Sequence, residues 1–98
     1  MTLAKKYVVL FQNECLELSN TVLDNLQRLT VDGKNKDALE EMLQAADTII
    51  GDSRFINNKE LEEASTLLVN TFYADNNVNH KSKELEFFID VFTKIINH

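Results

Sequence analysis

The stretch Ala45–Ser53, AADTIIGDS, decides how this chain is read. Ala45, Ala46, Ile49 and Ile50 recur at helical spacing, yet Asp47 interrupts the run and Gly51 follows four residues later. A glycine inside a helix costs about 0.5–1 kcal/mol relative to alanine. At about 100° per residue, Asp47, Ile50 and Gly51 share one face, and the missing side chain at Gly51 leaves a dent there that a partner backbone can approach. The glycine equally suits the terminus of a helix ending near Asp52–Ser53.

Working outward, the second helix is expected over about 36–53, with Leu39, Met42 or Leu43, Ala46, Ile49 and Ile50 turned inward. Before it, Val8, Phe11, Cys15, Leu18, Val22, Leu26 and Leu29 recur at threes and fours, predicting a long first helix from about Thr2 to Leu29. Gly33 suits a left-handed residue after that helix. Phe55–Ile56 reads as a turn plugging the end of a bundle, and Asn57 with Glu60 as a capping pair for a third helix. That helix carries Leu61, Ala64, Leu68 and Phe72, with Leu67 and Tyr73 flanking. Ser82 is the expected cap of a fourth helix, whose inner stripe is Leu85, Phe88, Ile89, Phe92 and Ile95 or Ile96. Adjacent Phe87 and Phe88 cannot both enter one core, so one is expected to be partly exposed.

A chain of 98 residues with 44% apolar content, no proline and two glycines fits one all-α domain over 1–98. Short connections favour an antiparallel up-down-up-down four-helix bundle. A net charge of −6, with no basic stripe, disfavours nucleic acid and anionic membrane surfaces. No apolar run approaches the roughly 20 residues a bilayer requires, and no signal-peptide cleavage pattern follows Phe11. These features point to a cytoplasmic protein. Cys15 is the sole cysteine and reads as a buried thiol. His80 and the terminal His98 have no orienting partner at a useful spacing. The acids Glu40–Glu41 and Glu60, Glu62 and Glu63 read as solvated faces, so neither metal nor cofactor is expected and the chain is not expected to be an enzyme.

The order of these features resembles the histidine phosphotransfer (Hpt) domain, above all the amino-terminal one of CheA-type chemotaxis kinases. Its motif is His-x-x-Lys-Gly in the second helix of an antiparallel bundle. Tyr7–Glu14 resembles the family's opening, Leu39–Ala46 its apolar approach, Asp47–Gly51 the motif without a gap, and Leu61–Ser65 the start of its third helix. Asp47 stands where that family has its phosphoacceptor histidine and Ile50 where it has lysine. Thr66 and Val69 occupy the positions of the supporting third-helix His-x-x-Glu. Loss of a lysine and a glutamate together avoids an unpaired charge, so the resemblance implies a resealed site.

Phosphotransfer needs an imidazole as nucleophile and labile donor, which Asp47 does not supply. Phosphorylation of Asp47 itself would need Mg²⁺ held by further acids, and Asp52, five residues on, does not converge with it. A single carboxylate is also a poor mimic of phosphohistidine. The expected function is therefore a non-phosphorylatable, Hpt-like protein-binding module in two-component or chemotaxis-type signalling. Its partner would be a response-regulator receiver domain or a histidine kinase domain. Asp47, Ile50, Gly51 and Arg54 would form the docking face, with Arg54 and Lys59 replacing some of the family's positive charge against an acidic receiver. Two other readings stand beside it. One is a structural or oligomerising bundle, with an apolar homodimer face that includes Phe87. The other is an enzyme resting on acids such as Glu41 or Glu63, which requires a pocket with perturbed carboxylates.

Overall fold

The computed structural model describes residues 3–97. Four α-helices make up most of it: α1 (Leu3–Val31), α2 (Lys36–Phe55), α3 (Lys59–Phe72) and α4 (Ser82–Ile96). A single 3-10 turn, Asn79–Lys81, leads into α4, and there is no strand among the described residues. The expected start at Thr2 and the terminal His98 lie outside the described residues. Helix α2 runs two residues beyond the expected Ser53, so Gly51 sits inside the helix, a turn before its end.

The apolar stripes explain the packing. Helix α1 lies against α2 and α4, α2 against α3, and α3 against α4 along the narrowest seam. Met42, Ile49, Leu68, Phe72, Phe88 and Phe92 are among the buried side chains of one continuous core. Burying each such side chain contributes about 1.5–3 kcal/mol, more than any single cap or surface pair here. Phe72 and Phe88 meet edge to face with centroids 5.7 Å apart, joining α3 to α4. Phe88 is 2% exposed and its neighbour Phe87 52%, as the adjacency of the two rings required. In α3 the buried stripe is Leu61, Ser65, Leu68 and Phe72, which turns Ala64 to its half-buried edge.

The expected stripe of α1 is buried only from Cys15 onward. Val8 and Phe11 are half-buried, and no residue from Leu3 to Glu14 is fully enclosed. Length is the reason. The 29 residues of α1 span about 44 Å against about 30 Å for the 20 of α2, so α1 outruns its neighbours. Phe55, rather than plugging the bundle, is 55% exposed and lies edge-on to Phe11 at 4.7 Å, while Ile56 packs against the core.

The connections correct three local expectations. Asn57 does not cap α3. It adopts φ 59° as the left-handed residue ending α2, with its N–H donating to Arg54 O at 3.2 Å and Asn58 N–H to Ser53 O at 2.8 Å. Asn58 is the cap, its side-chain oxygen accepting from Leu61 N–H at 3.1 Å. Ser82 is the first residue of α4, which starts without a side-chain cap because the 3-10 turn feeds directly into it.

Gly33 does not adopt a positive φ. Its role is close approach: its carbonyl accepts from Val78 N–H at 2.9 Å and its own N–H donates to Asn79 Oδ1 at 3.1 Å. Val78, a residue of the α3–α4 connection, is thereby fully buried. Nearby, Lys81 Nζ donates to Thr71 O at 2.6 Å and to Asp75 Oδ2 at 2.7 Å, holding the same connection to the end of α3.

A methyl group at Gly33 would stand 2.7 Å from Asn79 N and closer still to its side-chain oxygen, whereas one at Gly51 meets nothing within 4 Å. Gly33→Ala is expected to destabilise the protein by about 1–3 kcal/mol. Gly51→Ala should stabilise it by about 0.5–1 kcal/mol. Urea denaturation of the two variants beside the parent measures both, and an unaltered Gly33→Ala midpoint removes the close-approach account.

Candidate functional site

The six positions singled out on α2 and α3, Asp47, Ile50, Gly51, Arg54, Thr66 and Val69, lie along the seam between these helices. Asp47 and Val69 line the same groove, together with Leu43 and Tyr73. Arg54 and Thr66 line a second groove further along, with Glu62 and Asn70. Ile50, half-buried, and Gly51, exposed, lie on α2 between them. Helical phase accounts for this placement, because Asp47, Ile50, Gly51 and Arg54 follow at three, four and seven residues and so lie on one side of α2.

The strip carries little reactive chemistry. Asp47 is exposed and makes no hydrogen bond or ion pair among the described residues. Val69 and Ile50 present hydrocarbon, and Thr66 a hydroxyl. Arg54 is not a bare cation, for its Nε donates to Glu62 Oε2 at 2.6 Å with the arginine side chain 65% exposed. A pair this open to water contributes on the order of 0.2–1 kcal/mol and exchanges readily for another carboxylate. The vacant Cβ position of Gly51 opens to solvent in the middle of the strip.

Other candidate residues are dispersed. Glu41 lies in a groove with Leu18 and Thr21, Glu63 in the Arg54 groove, and His80 in the exposed 3-10 turn. Among the described residues no three His, Cys, Asp or Glu side chains gather as a metal site requires. Cys15 is buried, and burial, then Asp52 and then Glu14 push its thiol up to about 11, so it stays protonated at neutral pH.

Asp52 is the residue whose role periodicity could have shown. It falls three residues after Ile49 and seven after Ala45, on the inner side of α2, and is 9% exposed. It points away from the α2–α3 strip and towards α1, where it meets the Glu14 carboxyl; its Oδ2 has no hydrogen-bond partner among the described residues. Burial, followed by the hydrogen bond and the negative charge of Glu14, raises its pKa from 3.8 to about 6.

The chain matches no known protein family, no curated protein and no solved structure.

Because the folded-state pKa of Asp52 lies above 3.8, its contribution to stability is complete below that pH and is lost as pH rises through about 6. The parent protein should therefore lose stability between pH 5 and 7.5 relative to Asp52→Asn. The variant is expected to be the more stable at pH 7.5, by about 1–3 kcal/mol. Paired urea titrations at the two pH values read this difference, and parallel pH profiles for the two proteins would show that the carboxyl is not held in its neutral form.

Proposed function

We propose that this chain is a docking module of the histidine phosphotransfer type that binds without carrying phosphate. In this reading α1–α4 form an up-down-up-down antiparallel bundle in the cytoplasm, and the α2–α3 strip engages a receiver domain or a histidine kinase domain of a two-component or chemotaxis-type pathway. Two contacts across the seam support the antiparallel sense: Leu43 and Asp47 line one groove with Val69 and Tyr73, whereas Arg54, later on α2, bonds Glu62, earlier on α3.

Gly51 carries the proposal. A glycine inside a helix weakens it, and nothing among the described residues approaches its Cβ position closely enough to require one. A local choice that costs stability without an internal reason marks an external one. The dent admits a partner helix or loop at backbone distance, Ile50 and Val69 supply an apolar floor, and Asp47 and Arg54 supply the polar rim. Arg54 and Lys59 would meet the acids of a receiver domain, with Glu62 giving up its partner on binding. The strip offers neither imidazole nor an activated hydroxyl, so the module binds and does not transfer.

The test is a calorimetric or NMR titration against receiver domains and chemotaxis-type kinase domains from the source organism. Saturable binding is expected, with shifts centred on Asp47, Ile50 and Gly51. Gly51→Arg should abolish it while leaving the circular dichroism helicity unchanged. Absence of binding to every such domain would return the bundle to a purely structural role.

A further inference from the structure

The amino-terminal part of α1 presents an uncovered face. Leu3, Tyr7 and Leu10, at i, i+4 and i+7, are 68%, 47% and 60% exposed. The same spacing continues through Glu14 and Glu17, also exposed, so that the five positions occupy an arc of about 80° on the helix. Lys6, exposed and without an ion pair among the described residues, flanks the arc near its beginning. Along the helix the face therefore carries Leu3, then Lys6 at its edge, then Tyr7 and Leu10, then two acids. Glu14 is the acid that faces Asp52, and neither carboxyl takes part in any of the five ion pairs among the described residues.

We infer that this face is a two-fold interface between copies of this chain, in which the first turns of α1 from two protomers pair antiparallel about Leu10. Charge order selects both the occupant and the direction. With Leu10 on the axis, Lys6 of each protomer stands opposite Glu14 of the other, and the cation missing from the Glu14–Asp52 pair is supplied twice. A parallel pairing sets lysine on lysine and glutamate on glutamate. An anionic lipid surface fits less well, since Glu14 and Glu17 lie on the same arc and the whole chain carries −6. Phe87, the sequence-based expectation for such a face, lies in a groove with Leu67 and Lys83 that has no such charge order. This interface lies on α1, outside the α2–α3 strip, and stands whether or not that strip docks a signalling partner.

Two helix segments of about four turns bury less than a standard interface of about 1,600 Å², which makes the dimer weak and salt-sensitive. Sedimentation equilibrium of the full chain from about 10 μM to 1 mM is the experiment, a range that brackets weak association. The mass should rise from 11.3 kDa towards twice that value, and less so at high salt. Lys6→Glu and Glu14→Lys should each remain monomeric with helicity intact. Mixed in equal amounts they should associate, because both charge pairs are then restored, and the Lys6→Glu/Glu14→Lys double variant should regain self-association. A parent chain that is monomeric throughout, association that survives Lys6→Glu, or a mixture that fails to associate would each overturn the interface. A monomer that binds anionic vesicles through Leu10 would overturn it in favour of a lipid surface.

Discussion

The contact between α1 and α2 is the constraint on which the remaining structure depends. Val22, Leu26 and Leu29 of one helix and Ala38, Met42, Ala45 and Ile49 of the other are buried in the shared core. Alanines at 38, 45 and 46 keep the α2 surface low, which suits a close helix approach and leaves room for the larger rings of α3 and α4. The same phase that turns Ala45 and Ile49 inward carries Asp52 inward too. The seam that holds the fold therefore also has to hold an acid, Asp52, whose pKa burial and the neighbouring Glu14 push up to about 6.

The helices were legible because the chain repeats one apolar period with few interruptions. Four segments, most of their inward residues and the exposed member of the Phe87–Phe88 pair follow from spacing alone. What escaped depends on contacts distant in sequence. Gly33 reads locally as a left-handed terminator, and only the arrival of Asn79 shows that its bare backbone serves proximity instead. Asn57 and Asn58 are adjacent and chemically identical, so the sequence does not say which ends α2 and which begins α3. Asp52 shares the inner phase of Ala45 and Ile49, but a carboxylate there reads as a helix-terminal residue until the packing of α1 shows it enclosed. The burial limit on α1 comes from comparing helix lengths, which no local pattern contains.

The docking strip was legible as a set of residues on one face of α2. Pairing those with Thr66 and Val69 came from a resemblance, and in the structure both α3 residues line grooves with the α2 set. The chemistry that remains there is shape, hydrocarbon and one exchangeable ion pair.

The link between Gly33 and Asn79 has a consequence for how the chain reaches this state. The two residues are 46 positions apart, and their hydrogen bond, with the one from Val78, closes a loop that contains all of α2 and α3. Closure of that length costs entropy that local helix formation does not repay. The clasp therefore belongs to the last stage of assembly, after the neighbouring helices have met. Its amide protons report on the complete bundle, and a chain that has lost the clasp keeps its helices while losing the registration between its two halves.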